Sequence, residues 1–345
     1  MALNLTNEEI KLFIERITGN KDFLYIIQPY GLASVIISGG LSHAVQARKN
    51  KSAAVMLISD SLKNIGLTWE NVTSIKYFPV DIMEFINNYF LETGEYEGEN
   101  FIYGNFHKEL EKTDDADKNI DSDTAVSSAD SKFDEISLLD QFKQKVFDLP
   151  LDTEFVYPTF EKISEENISA LNEKYILDKN KTVVICPYFD YSPLAAVEFW
   201  NNFVKKLTAE GYVVYTNIQE IYQKPLEGTL PLNVTFAELN YLADKVKCFA
   251  GIRSGIFDFL AMTDAKIFSV ETFPIWQQSL KNLYPKCNAR TFYDSRHIIK
   301  PLLKTLAKSN IGAKFTLHHE KINDEDIFYT QKSILNALTS AVQKY

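Results

Sequence analysis

The sequence is poor in cysteine. Its three cysteines among 345 residues, Cys186, Cys248 and Cys287, follow no metal-binding or disulfide spacing. Cys186 and Cys248 lie in apolar runs, so we expect their thiols to be buried and reduced. An odd number of cysteines without a disulfide framework is typical of a protein kept in the cytosol.

A surplus of positive charge is also missing. The chain has 36 Lys and Arg residues against 46 Asp and Glu residues, which gives a formal net charge of -10. A general nucleic-acid binder needs a basic face that neutralises phosphates. We therefore expect no nucleic acid among its partners.

Long apolar runs are absent as well. No run approaches the roughly 20 apolar residues of a membrane-spanning helix. Residues 1–20 predict a polar, amphipathic helix without the apolar core of a signal peptide. We therefore expect a cytoplasmic protein without a transmembrane segment. A peripheral position at the inner face of the membrane is compatible with that expectation.

The sequence does contain enough aromatic material for two cores, with 24 Phe and 18 Tyr. Short buried-strand patterns alternate with helical patterns in both halves, which predicts an α/β fold of two Rossmann-like, doubly wound domains. We place the N-terminal domain at 1–160 and the C-terminal domain at 161–325, with an extended linker at 148–164. A helix at 326–345 follows, and one option is that it packs back on the N-terminal domain.

An acidic segment at 113–135 interrupts the first half and has almost no large apolar residues. Such a segment cannot bury enough surface to offset its ordering entropy, so we expect a mobile surface insert. Its Asp-x-Asp pairs resemble the metal-binding pairs of some nucleotide-sugar enzymes, but no strand pattern precedes them. We therefore predict a solvated acidic loop and no metal site.

The stretch 246–271 reads as strand, glycine turn, helix and strand, which is a parallel βαβ unit. A glycine turn that opens a helix presents backbone N–H groups and the positive end of the helix dipole, and this favours phosphate. Arg253 adds a planar donor fork suited to a diphosphate. A tight turn with a surface arginine is the alternative. The turn contains Gly251, Arg253, Ser254 and Gly255.

Residues 182–271 resemble the nucleotide-sugar domain of GT-B-type glycosyltransferases, closest to the heptosyltransferase-like branch. The resemblance begins with a strand that ends in proline, Val183-Val-Ile-Cys-Pro187, and continues with an aromatic helix carrying Glu198-Phe-Trp200. A Gly211 step into the next strand, a helix at 236–244 and the glycine turn follow in order. The family pattern at that turn is Asp-Thr-Gly with a later His, whereas this chain has Arg253-Ser-Gly followed by Asp258.

The resemblance implies the GT-B architecture, in which two doubly wound domains face a cleft. It implies that the turn from Gly251 to Gly255 holds the diphosphate of a nucleotide sugar through backbone N–H groups. Arg253 would offset the charge that develops on the leaving group, so neither a metal nor another cofactor is expected. Asp258 would cap or orient the turn, or else serve as a local structural acid.

Further donor contacts are expected at the carboxyl edge of the same sheet, where open α/β sheets bind ligands. Glu271 ends a strand and would accept hydrogen bonds from ribose hydroxyls, unless it is a surface carboxylate. The other candidates lie in the loops after two preceding strands: Tyr188, Ser192, Asn217 and Gln219.

The acceptor side of the sequence departs from the family. The stretch Ile27-Gln-Pro-Tyr-Gly31 resembles the glycine loop after the first strand, where inverting members place a carboxylate as general base. Here Leu, Ala and Ser follow Gly31. The candidates for the base are His107, Asp60 and His43, each of which could instead be structural.

The resemblance therefore implies a glycosyltransferase of the kind found in bacterial glycan biosynthesis. It would move a sugar from a nucleotide-diphosphate sugar to a hydroxyl of a glycan, lipid-linked or protein acceptor, without a metal. The alternative is a non-catalytic partner or scaffold subunit with the same fold, and a homo- or hetero-oligomer is open in both cases. A non-hydrolysing epimerase shares the architecture, but its acidic and histidine pattern is not found.

Overall fold

The computed structural model describes most of the chain. The described residues are 5–29, 31–105, 137–188, 197–219, 223–271, 280–294, 328–329 and 331–344. The acidic segment at 113–135 lies outside them. The chain divides into two compact units, Met1–Phe160 and Glu161–Tyr345.

The first unit is built on a sheet in the order β4-β2-β1-β5, and every pairing in it is parallel. All seven residues of its second strand are buried, as expected for a strand covered on both faces. The unit comprises α1 (Asn7–Ile17), β1 (Phe23–Gln28), α2 (Leu32–Arg48), β2 (Ala53–Ser59), β3 (Leu67–Thr68), β4 (Val72–Phe78), α3 (Val80–Thr93), β5 (Phe101–Tyr103), α4 (Leu138–Gln141) and β6 (Thr159–Phe160). A π-helical turn, Phe142–Val146, continues α4.

The segment expected to be a linker at 148–164 contains the division between the two units, and its first two thirds pack on the first unit. The backbone N–H of Val156 donates to the carbonyl of Gly40 in α2 at 3.0 Å. The indole N–H of Trp69 donates to the Val156 carbonyl at 3.2 Å. A Cβ on Gly40 would overlap the Phe155 ring, so this glycine makes room for the aromatic side chain. Finally, β6 pairs antiparallel with β3.

The second unit is built on a seven-stranded sheet in the order β13-β12-β11-β10-β7-β8-β9. All of its pairings are parallel, so the predicted α/β class with parallel sheets is confirmed. The unit comprises α5 (Glu165–Lys174), β7 (Thr182–Cys186), α6 (Val197–Ala209), β8 (Val213–Asn217), β9 (Leu230–Leu232), α7 (Phe236–Ala243), β10 (Cys248–Ile252), α8 (Gly255–Leu260), β11 (Lys266–Glu271), α9 (Leu280–Leu283), β12 (Asn288–Asp294), β13 (Phe328–Tyr329) and α10 (Gln331–Lys344).

The terminal helix α10 belongs to the core of the second unit. Leu338, Ala341 and Val342 are buried against the aromatic face of α6 and the adjacent face of the sheet. The ammonium of Lys206 in α6 donates to the side chain of Asn336 at 2.7 Å. The sequence predicted a separate terminal helix, but in the structure its apolar face completes the layer that α6 begins.

The described residues contain no helix that combines the length and the apolarity needed to cross a bilayer.

Glu97 joins the β5 region to the end of α2 and gives the first unit a pH-dependent contribution to stability. Its carboxylate accepts hydrogen bonds from Arg48 at 3.1 Å and pairs with Lys49. Partial burial raises the pKa of Glu97, but the hydrogen bonds and charges of Lys49 and Arg48 outweigh that effect and hold the pKa below its ordinary 4.5.

Glu97→Gln is expected to reduce stability at neutral pH but not in acid. A lowered carboxylate pKa stabilises the folded protein above the unfolded pKa and loses that effect as the pH falls through the folded value. The difference in unfolding free energy between wild type and variant should be about 1 kcal/mol or less at about pH 6, because the side chain is partly exposed. Urea unfolding at about pH 6 and about pH 3 measures it, and a difference that grows in acid would contradict the assignment.

Candidate functional site

The order in which strands are added to the second sheet reverses between β7 and β10. The chain runs from β7 outward to β8 and β9, and then returns to place β10 on the other side of β7. In open α/β sheets, ligands bind outside the carboxyl ends of the strands at such a switch point. The segments that leave the sheet there carry Tyr188 after β7, and Arg253 and Ser254 after β10. We call these three residues and the adjoining strand ends the switch-point crevice.

Gly251 lies inside β10, which runs to Ile252, and not in the turn to which the sequence assigned it. Gly251 is paired in register with Cys186 of β7 and Ser269 of β11. A Cβ at Gly251 would overlap the Cys186 carbonyl oxygen and lie 2.8 Å from its carbonyl carbon. The glycine is therefore required by the close approach of β7 and β10, and the turn itself begins at Arg253.

Arg253 and Asp258 form a bidentate ion pair beneath the turn. The Arg253 Nη1 and Nη2 atoms lie 2.5 and 2.6 Å from the two oxygens of Asp258. Nη1 also donates to the carbonyl of Ser254 at 3.0 Å. The Asp258 side chain is only 2% exposed and that of Arg253 15%. Asp258 thus holds the guanidinium, as either a residue that orients the turn or a local structural acid would, and it does not cap α8.

A neutral phenol lies beside this ion pair. Tyr284 is fully buried. Burial, together with the negative charge of Asp258, raises the pKa of Tyr284 well above its ordinary value, so the hydroxyl keeps its proton. Cys287 is also buried, and this raises the pKa of its thiol to about 11. Neither side chain adds charge to the crevice at neutral pH.

Ser254 precedes α8 in extended conformation and does not cap the helix with its side chain. Its hydroxyl oxygen is buried and has no hydrogen-bond partner within the described part of the chain. Buried hydroxyls normally find a partner. Among the described residues, the Ser254 hydroxyl is therefore an unsatisfied hydrogen-bond donor at the switch-point crevice.

The remaining donor-side candidates have different environments. The Tyr188 hydroxyl accepts from the backbone N–H of Lys224 at 3.2 Å and donates to its carbonyl, which ties the two loops together. Asn217 is buried at the end of β8, whereas Gln219 is exposed just beyond it. Glu271 ends β11, and its side chain is outside the described atoms, as is all of Ser192.

The first sheet has its own switch point, between β1 and β5. Asp60 follows β2 in an exposed 3₁₀ turn at the carboxyl edge, so it stays a candidate base. His43 lies eleven residues into α2, which places it about 16 Å along the helix from that edge, too far to act there. His107 lies outside the described residues.

Sequence reasoning missed a buried polar group at this first switch point. Gln28 ends β1 and is fully buried, and the Ser38 hydroxyl donates to its side-chain oxygen at 3.2 Å. A Cβ at Gly104, just after β5, would lie 2.7 Å from the same oxygen. A glutamine at the end of an apolar strand was the only signal in the sequence.

No group of three or more metal-ligating side chains occurs in the described ranges. The prediction that the protein needs no metal stays untested.

Comparison with known proteins identifies the fold. No protein-family model matches the sequence, and no curated protein matches it either. The family 9 glycosyl transferase of Veillonella parvula is similar in structure, with a TM-score of 0.56 and 9% identity over 94% of this chain and 98% of that one. The ADP-heptose lipopolysaccharide heptosyltransferase II of E. coli has a TM-score of 0.52 and 12% identity over 93% of this chain and 98% of that one. The predicted likeness to heptosyltransferase-like GT-B structures is thus confirmed at the level of the fold.

Proposed function

We propose that this chain is a glycosyltransferase that moves a sugar from a nucleotide-diphosphate sugar to a hydroxyl group, without a metal ion. The observation that carries the proposal is the switch-point crevice between β7 and β10, on a chain whose fold matches glycosyltransferases over almost its full length. The acceptor classes that we propose are a glycan, a lipid-linked or a protein hydroxyl.

The crevice offers groups suited to a diphosphate. The Ser254 hydroxyl can donate to a phosphate oxygen. The N–H of Phe257 already donates to the Ser254 carbonyl at 2.9 Å, so the N–H groups that α8 can offer to a phosphate are those of Gly255 and Ile256. Arg253 supplies positive charge, but Asp258 offsets much of it in the observed ion pair. We therefore assign more of the phosphate contact to Ser254 and the backbone than the sequence suggested, and less to Arg253.

In the proposed reaction, the acceptor hydroxyl attacks the anomeric carbon of the sugar. The bond from that carbon to the diphosphate oxygen breaks, and a base takes the hydroxyl proton. Hydrogen bonds in the crevice stabilise the charge that develops on the departing diphosphate. Asp60 and His107 are the proposed bases.

Ser254→Ala is expected to weaken nucleoside diphosphate binding about tenfold, since a hydrogen bond to a charged group is lost. Calorimetric titration with ADP, UDP, GDP and CDP measures it, with Ser340→Ala on the exposed face of α10 as the matched control. Mass spectrometry of the purified chain with a panel of nucleotide sugars tests transfer and donor hydrolysis. A wild type that binds no nucleoside diphosphate and shows no transfer would refute the proposal.

A second candidate is a non-catalytic partner subunit that binds the donor without transferring sugar. It is favoured by the first turn of α2, which follows Gly31 and carries no acidic residue where inverting enzymes place their base. Nucleotide binding without transfer or hydrolysis under every donor tested would support this candidate. Transfer by the purified chain alone would exclude it.

A further inference from the structure

Asn217 is a polar residue whose side chain is buried, within the described part of the chain, without a hydrogen-bond partner for its oxygen. The residue is only 3% exposed, at the last position of β8. Its side-chain oxygen is buried and has no hydrogen-bond partner among the described residues. Buried amides are nearly always paired, because an unpaired carbonyl loses its hydrogen bonds to water without compensation.

The strand register shows which side of the sheet Asn217 faces. Side chains alternate along a strand, so Asn217 shares a face with Tyr215, whose ring packs on Tyr175. Val214 lies on the other face, against α6. Asn217 therefore belongs to the face that α6 does not cover.

The neighbours of Asn217 on that face are apolar and uncharged. Leu232 of β9 is its partner in register and is 1% exposed. Continuing the register of β7 and β8 by one residue places Cys186 on its other side. Burial raises the pKa of the Cys186 thiol to about 12, so the thiol is neutral. The amide is thus the polar member of a short wall that it forms with Leu232 and Cys186.

The wall lies close to the switch-point crevice. Adjacent strands are about 4.8 Å apart, so β8 is one strand from β7 and about 10 Å from β10. A group attached to a diphosphate in the crevice reaches this far. Either the nucleoside or the sugar of a nucleotide sugar could therefore lie over β8.

We propose that the Asn217 side-chain oxygen accepts a hydrogen bond from an N–H group of the donor's nucleobase, and so helps to select the base. A nucleobase is planar and largely apolar on its faces, and it presents a few N–H groups at its edge, which matches one amide among apolar neighbours. A sugar bears hydroxyls on most of its carbons and would need several polar partners. This inference rests on the proposed function.

Asn217→Leu tests the proposal, because leucine has nearly the same size and cannot form the hydrogen bond. Removing an unsatisfied buried amide is expected to raise Tm by about 2 °C or more. Affinity for the preferred nucleoside diphosphate should fall about tenfold, while affinity for the others changes little, so the variant loses base selectivity. Calorimetric titration with ADP, UDP, GDP and CDP and thermal unfolding supply the two measurements.

Thr182→Val is the matched control. Thr182 is a fully buried polar residue at the opposite end of the same sheet. Its hydroxyl donates to the carbonyl of Ile176 at 2.8 Å and accepts from Asp178 at 3.1 Å. This variant should have a lower Tm and unchanged ratios of affinity among the four nucleotides.

Ratios of affinity do not depend on the folded fraction, so they decide the matter even if Asn217→Leu is less stable than expected. Unchanged ratios, or a uniform loss for all four bases, would overturn the proposal and leave the proposed function standing. A loss seen only with sugar-bearing donors would overturn it in favour of a sugar contact. A wild type that binds none of the four nucleotides would overturn both proposals.

Discussion

Asp258→Asn is expected to lower the unfolding free energy of the second unit by about 3 kcal/mol. The carboxylate is 2% exposed and accepts hydrogen bonds from both terminal nitrogens of Arg253. Removing one partner of a buried ion pair leaves the other charge without compensation in a region of low dielectric. Urea unfolding followed by circular dichroism measures the effect, and a variant as stable as wild type would show that the pair contributes nothing.

The double variant Arg253→Met and Asp258→Leu separates the structural role of Arg253 from its proposed role in binding. Replacing both charges with apolar residues of similar size often restores stability, so we expect unfolding within about 1 kcal/mol of wild type. Nucleoside diphosphate affinity can then be measured on a folded protein that lacks the guanidinium. Lower affinity supports contact of Arg253 with the diphosphate, and equal affinity restricts this residue to holding the turn.

Gly251→Ala should destabilise the protein about as much as Asp258→Asn does, lowering the unfolding free energy by about 3 kcal/mol. The added methyl group would overlap the Cys186 carbonyl, and this obstacle is backbone in the middle of the sheet, which cannot move aside as a flexible side chain does. β7 and β10 would have to separate at the switch point, so any protein that still folds should bind nucleoside diphosphate weakly. Chemical unfolding and titration measure the two effects.

Gly211→Ala serves as the control for this substitution. Gly211 has a φ of +85°, and a Cβ there would meet nothing within 4 Å. Only left-handed backbone strain is added, which costs about 1 kcal/mol. Equal losses for the two alanine variants would indicate that strand contact is not what requires glycine at position 251.

The alternation of strands and helices could be predicted from the sequence because it depends on local patterns. Val183 to Cys186 and Ala53 to Ile58 are continuous apolar runs of strand length, and both are buried parallel strands. The strand Asn288–Asp294 was not predicted, since its polar residues interrupt the apolar pattern and its pairing partner is distant in sequence. Phe155 was assigned to a linker because the residue that accommodates it, Gly40, is more than a hundred positions earlier.

The sequence predicts which turn carries the candidate residues but not the contacts that those residues make. Arg253 and Asp258 were both selected from the turn, yet a pattern of residue types does not show that they face each other. Gly251 was assigned to the turn because glycine is common in turns. In the structure it is a strand residue, and glycine is needed there because the Cys186 backbone lies so close. The burial of Asn217 depends on the register of three strands, which no local window of sequence contains.

The position of α10 has a consequence for the order in which the protein forms during translation. The first unit draws its core from Met1–Phe160, so all of its side chains have left the ribosome while much of the chain is still to be made. The second unit buries Leu338, Ala341 and Val342 in a core that they share with α6, which is synthesised more than a hundred residues earlier. The apolar surface beside α6 therefore stays exposed, and the core of the second unit stays incomplete, until α10 has left the ribosome. The nascent second unit is the part of this protein on which chaperones are expected to act.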